Sequence, residues 1–171
     1  KKAGHETDLI QIVKRYTHEE IVGLLKAVGE ADIYAFHYLS HFRTAIISLS
    51  KIIRQLFPNT IVLCGGTSAV IEPETMIDLP EINAVCIGEG DYSMVHFVDQ
   101  LGKSGLQNVI PNFWIKDKKG VVIKGDVSSL TTDINDLPFY DMCLFDLNNI
   151  RSMKLRIPCI PVIMSRGCPY S

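Results

Sequence analysis

TIVLCGG (residues 60–66) and INAVCIGEG (residues 82–90) are short, wholly apolar runs that each end in glycine. A strand with no polar alternation is buried on both faces, and this is the habit of a parallel sheet covered by helices. The two runs therefore predict neighbouring strands inside an α/β domain.

The flanking sequence supplies the rest of such a domain. ADIYAFHYLS (31–40) is a β-branched and aromatic run that reads as a strand, and ETDLIQIV (6–13) reads as an earlier one. Between them HEEIVGLLKAVG (18–29) places Ile21, Leu24, Leu25 and Val28 at helical spacing. Thr17 can cap that helix, and Glu20 three residues on completes a capping box. RTAIISLSKIIRQLF (43–57) repeats the spacing through Ile46, Leu49, Ile53 and Leu56. PETMIDL (73–79) predicts a short helix with Pro73 in its first turn, and DYSMVHFVDQLGKSG (91–105) a longer one that stops at glycine. The order βαβαβαβα is that of a doubly wound, Rossmann-like (flavodoxin-like) fold, a mainly parallel sheet with helices on both faces.

After Gly105 the rhythm changes. NFWIKDKKGVVIKG (112–125) predicts a hairpin turning at Asp117–Gly120, and SSLTTDINDLPFYDMCLFDLNN (128–149) has the look of a linker. LRIPCIPVIMSRG (155–167) reads as a strand interrupted by Pro158 and Pro161, which would keep its first half out of the middle of a sheet.

Composition narrows the function. The 171 residues, 47% of them hydrophobic, suffice for one globular domain with an appendage. Seventeen basic and nineteen acidic residues give a net charge of −2 with no block of like charge, so nothing predicts a nucleic-acid or membrane-surface partner. Every apolar stretch is broken before the roughly 20 residues of a bilayer span. The opening KKAGHETD has no signal-peptide core, and a cytoplasmic protein is expected. Five cysteines (Cys64, Cys86, Cys143, Cys159 and Cys168) are irregularly spaced, and Cys64 and Cys86 read as buried thiols rather than a disulfide.

In open α/β sheets ligands bind outside the carboxyl ends of the strands, which directs attention to HYLSHF, CGGTSAVIEPE and GEGD. Gly65 and Gly66 let backbone approach a flat or phosphorylated ligand, with Thr67 and Ser68 supplying hydroxyls; a plain tight turn reads equally well. The phosphate-loop and GxGxxG fingerprints are absent. Gly88, Glu89 and Gly90 lead into a helix that Asp91 can cap, and a simple strand-to-helix turn explains them too. His37 and His41 flank the end of the 31–40 run, where a histidine is more often packed or hydrogen-bonded than a metal ligand.

Together, DIYAFHYLS, FPNTIVLCGGTSAVIEPETMI, INAVCIGEGDYSMVHFVDQL, INDLPFYD and IPVIMSRGCPY resemble the cobalamin-binding class of radical S-adenosylmethionine enzymes, over essentially the whole chain. The resemblance implies a Rossmann-like cobalamin-binding domain over residues 1–105, truncated at its N-terminus, a hairpin and linker over 106–157, and the start of a truncated radical SAM barrel over 158–171. By position it implies cobalamin contacts at Tyr38, Leu39, Ser40 and His41, at Gly65, Gly66, Thr67 and Ser68, and at Gly88, Glu89 and Gly90. Cys168 would be the first of a cysteine set ligating a [4Fe-4S] cluster, whose open iron chelates S-adenosylmethionine.

One thiolate does not hold a cluster, so the chain alone is expected to be inactive. The full-length enzyme would act on a small-molecule substrate. It would transfer a methyl group through methylcobalamin, or run a cobalamin-assisted oxidation or ring closure like that of the anaerobic magnesium-protoporphyrin IX monomethyl ester cyclases. The family's first strand has no counterpart, which predicts a gap between ETDLIQIV and DIYAFHYLS, to be filled by VIMSRG or by strand exchange with a second copy. The aspartate-x-histidine-x-x-glycine loop that carries an axial histidine in related domains is also absent. The competing reading is a non-catalytic Rossmann-like binding or interaction module without a corrin.

Overall fold

The computed structural model describes residues 3–12, 14–104, 109–129, 131, 133–139 and 141–145. Residues 25–129 form one compact unit, and the described parts of 1–24 and 130–145 belong to a second.

Helix α1 (His18–Val28) opens on the predicted capping box: the Thr17 N–H donates to Glu20 Oε2 at 2.7 Å and the Glu20 N–H to Thr17 Oγ1 at 3.2 Å. Strand β1 (Ile33–His37) follows, then a 3₁₀ turn (Ser40–Phe42) that leads into helix α2 (Arg43–Leu56). Helix α2 buries Ile46 and Ile53 and ends just before Phe57-Pro58, where proline disfavours helical backbone in the preceding residue. Strand β2 (Ile61–Gly65) leads through helix α3 (Thr67–Ile71) and helix α4 (Pro73–Ile77) to strand β3 (Ala84–Cys86). Helix α5 (Gly90–Ser104) and the hairpin of strands β4 (Phe113–Lys116) and β5 (Val122–Lys124) complete the unit.

These strands form a mixed sheet in the order β1-β2-β3-β4-β5, a Rossmann-like α/β arrangement. β1, β2 and β3 run parallel, with Phe36 opposite Cys64 and Cys64 opposite Val85. The hairpin then joins as an antiparallel extension, pairing Val85 with Trp114 and Trp114 with Lys124. The hairpin thus extends the same five-stranded sheet. Its turn closes as expected, with Gly120 N–H donating to Asp117 O and Asp117 N–H to Val121 O.

Ile61, Val62, Leu63 and Cys64 are all buried, so both faces of β2 are covered, as its unbroken apolar sequence requires. One core gathers Leu63, Ala84, Phe113 and Ile115 against Phe97 of α5, with the Phe97 and Phe113 rings stacked at 4.6 Å. Burial pushes the Cys64 thiol up to about 12 and raises Cys86 as well. Both are free, buried thiols, as the sequence predicts.

The strand expected over residues 6–13 does not form: 6–12 take no regular structure, and Val13 lies outside the described residues. Leu9 and Ile12 stay exposed, and a β-prone run that finds no edge to pair with has no ladder to hold it. Among the described residues β1 pairs only with β2 and is a terminal strand. VIMSRG, proposed above to lie beside it, falls outside the described residues, as do Cys159 and Cys168.

The amino edge of the sheet is tied by Arg54. Its guanidinium donates to Thr60 O at 2.6 Å, Pro58 O at 3.3 Å and Glu81 O at 3.2 Å, and also reaches Asn83 Oδ1. Asn83 in turn accepts the Val62 N–H at 2.9 Å. One charged side chain thereby joins the end of α2 to the approaches of β2 and β3.

Ser50, wholly buried on α2, is the converse case, because its hydroxyl has no hydrogen-bond partner among the described residues. Ser50→Ala removes a buried, unsatisfied group and improves helix propensity, so stability should rise by about 1 kcal/mol. Urea unfolding monitored by circular dichroism measures it: a higher midpoint at unchanged slope is expected, and a lower midpoint would show a missing partner.

Candidate functional site

The loops after β1, β2 and β3 leave the same, carboxyl edge of the three parallel strands. They carry the sequence-predicted residues, which differ in exposure and in the contacts they make.

Tyr38 and Ser68 are buried, whereas Ser40, His41 and Thr67 are exposed and Leu39 is half-buried. Tyr38 therefore offers no side-chain surface to a ligand. Its phenol points inward and donates to Glu72 Oε1 at 2.9 Å, while its N–H donates to Gly65 O at 2.6 Å. His41 stacks against Phe42, ring centroids 4.0 Å apart. Ser40 binds across to the β2 loop, its N–H donating to Ser68 Oγ at 2.9 Å and its hydroxyl lying 2.9 Å from Ser68 Oγ and 2.8 Å from Glu72 Oε1. The first two loops are thus stitched together through Glu72, which the sequence reading did not single out. Hydrogen bonds from Ser40 and then Tyr38, with the charge of Arg43 adding to them, hold its carboxyl below the usual carboxylate range. Burial, helped by the Glu72 hydrogen bond, raises the Tyr38 phenol.

Gly66 makes the turn out of β2 at φ 102°, in the region that favours glycine. A Cβ there would lie 2.7 Å from His37 Nδ1 and 3.2 Å from Tyr38 O. His37, at the end of β1, is therefore laid across the glycine turn. Beside it Gly65 stands opposite His37 in register, and a Cβ on Gly65 would meet Cys86 Cβ at 3.4 Å. The carboxyl ends of the strands are kept low and bare by these glycines, with Cys86 behind them.

At the β3 loop, α5 begins at Gly90, so Asp91 lies within the helix instead of capping it. Behind Gly88 and Glu89 stands Asn112, which the sequence reading passed over. It is buried at φ 66°, and its Nδ2 lies 3.0 Å from Glu89 O, 2.8 Å from Ser93 Oγ and 2.7 Å from Ser128 Oγ. Its Oδ1 accepts the Ser128 N–H at 2.7 Å. A Cβ on Gly88 would sit 2.5 Å from that same Oδ1, so Gly88 is bare because Asn112 fills its space. The sequence signal for Asn112 was an asparagine just ahead of a strand, a residue type that tolerates left-handed backbone.

Among the described residues no group of three or more His, Cys, Asp or Glu side chains is placed to hold a metal ion. No described helix is long and apolar enough to cross a membrane. The donor set at the carboxyl edge, hydroxyls, one carboxylate and bare backbone, fits an organic ligand that presents a flat face and polar substituents.

No family model matches the chain. An uncharacterized methyltransferase of Pyrococcus horikoshii, PH0819, is 26% identical over 167 residues, which are 96% of this chain and 33% of the relative. The chain thus spans about a third of that relative's length. Among solved structures, the cobalamin-dependent S-adenosylmethionine radical enzyme OxsB is similar in fold, both with aqua-cobalamin and S-adenosylmethionine bound and with aqua-cobalamin alone. Each match has a TM-score of 0.63 at 17% identity and covers 78% of this chain and 19% of OxsB. The fold they share is the Rossmann-like α/β unit described above.

Proposed function

We propose that this chain is the cobalamin-binding part of a cobalamin-dependent radical S-adenosylmethionine enzyme, and that the whole enzyme is a methyltransferase or an oxidative cyclase. The observation that carries the reading is the convergence of the β1, β2 and β3 loops on one bare carboxyl edge, in a fold similar to that of OxsB. The PH0819 likeness favours methyl transfer over ring closure. Ser40 and the backbone of Gly65, Gly66, Thr67, Gly88, Glu89 and Gly90 would line the cobalamin site. Tyr38 and Ser68 would shape it from behind, with Leu39 and His41 at its margin. Cobalamin, when bound, supplies a methyl-carrying or redox-active cobalt. The protein supplies shape, hydrogen bonds and exclusion of water. In this reading residues 158–171 begin the barrel, with Cys168 as a cluster ligand.

Titration of the full chain with hydroxocobalamin, followed by corrin absorption after gel filtration, tests the reading. Stoichiometric retention of the corrin is expected. Gly66→Ala should weaken retention about tenfold, because it strains left-handed backbone by about 1–2 kcal/mol and crowds His37. No retention by a folded chain would favour the non-catalytic binding module instead.

A further inference from the structure

We propose that Glu72 gives the corner between the β1 and β2 loops an acceptor-only face, so that it binds ligand groups that donate hydrogen bonds, carboxamides above all, and rejects carboxylates. The inference deepens the cobalamin reading and rests on it for the ligand, since the corrin rim carries a series of carboxamides.

The argument is a count of protons. Ser40 Oγ has one proton and two neighbours, Ser68 Oγ at 2.9 Å and Glu72 Oε1 at 2.8 Å. A carboxylate only accepts, so the Ser40 proton goes to Glu72, and the Ser40–Ser68 contact is made by the Ser68 proton. Ser68 Oγ receives the Ser40 N–H, and Tyr38 gives its only proton to Glu72 Oε1. Each hydroxyl proton of Tyr38, Ser40 and Ser68 is then directed inward, ending on one carboxylate oxygen.

What these four side chains leave for a ligand is acceptor capacity, chiefly Glu72 Oε2, which has no partner among the described residues. Arg43 lies close enough to act on Glu72 by its charge but makes no hydrogen bond to it, so it does not consume that oxygen. A carboxamide N–H meets Oε2 as a donor to a charged acceptor, among the stronger hydrogen bonds. A carboxylate in the same place would face like charge with no proton between them.

The test uses the full chain and two classes of probe: cobalamin, and its separated monocarboxylates, in each of which one rim carboxamide has become a carboxylate. The chain should bind at least one monocarboxylate about tenfold more weakly than cobalamin at neutral pH. Glu72→Gln retains an oxygen for Tyr38 and Ser40 and turns an NH2 outward, so the discrimination should shrink to within about twofold. Equal binding of all probes by the unmodified chain, or undiminished discrimination in Glu72→Gln, overturns the inference and leaves cobalamin binding intact. Failure to bind cobalamin itself overturns the proposed function, and this inference with it.

Discussion

Gly125→Ala should lower stability by about 3 kcal/mol or more, because its added Cβ would make the closest approach of any at the described glycines. Gly125 follows β5 and donates its N–H to Phe113 O at 2.8 Å. A Cβ on it would lie 1.9 Å from Ile110 O, 2.8 Å from Ile110 C and 2.9 Å from Phe113 O. All three obstacles are main-chain atoms, so no side chain can swing away. Relief requires the strand end to lift from residues 110–113, which breaks the Gly125 hydrogen bond and pulls on Asp126, whose carbonyl accepts the Asn112 N–H at 2.9 Å. Guanidinium unfolding of the variant and the unmodified chain measures the loss. A midpoint within error of the unmodified chain would mean that this crossing is looser than its geometry implies.

Asn112→Ala comes next, and it reaches the candidate site as well as the fold. The substitution removes a side chain that engages Glu89 O, Ser93 Oγ, Ser128 Oγ and the Ser128 N–H. Losing a buried group that serves several partners costs about 1–3 kcal/mol, and holding alanine at φ 66° adds about 1 kcal/mol. A total of about 3 kcal/mol is expected by the same measurement. Asn112→Gly separates the two contributions, since glycine accepts the backbone angle; it should lose less than the alanine variant. Amide exchange should also quicken in the Gly88–Gly90 loop in both variants, because Asn112 is the wall against which that loop is set. Unchanged exchange there would confine Asn112 to a purely local role.

Much of the fold was legible because glycine and proline punctuate it. The apolar run 60–66 stops within a residue of the end of β2 and the run 82–90 contains β3, which ends earlier, at Cys86; the helices over 43–57 and 91–105 carry their periodicity openly. Helix α3 went unread because five residues give too little length for a period to show and, unlike α4 with Pro73, it has no proline to mark its first turn. The run 6–13 misled for the opposite reason: its composition is strand-like, but strand formation depends on a partner that lies elsewhere in the chain.

The site was legible as loops and not as side chains. The glycines at 65, 66, 88 and 90 lie where β2 and β3 give way to the helices that follow them. That Tyr38 would face inward, that Glu72 would collect the hydroxyls, and that Asn112 would stand behind Gly88 all depend on contacts between residues far apart in sequence. A lone polar residue at the end of an apolar stretch gives no local sign of such a role.

The placement of Arg54 has a consequence for how this domain can change. Its guanidinium secures the approaches of β2 and β3 at the amino edge, away from the loops that leave Gly65 and Cys86. Strand registry is thereby anchored from the end opposite the candidate site. Exposed positions such as Thr67, Val70 and Ile71 can accumulate substitutions while the sheet beneath them stays assembled, so the fold can be kept as the surface at this edge drifts.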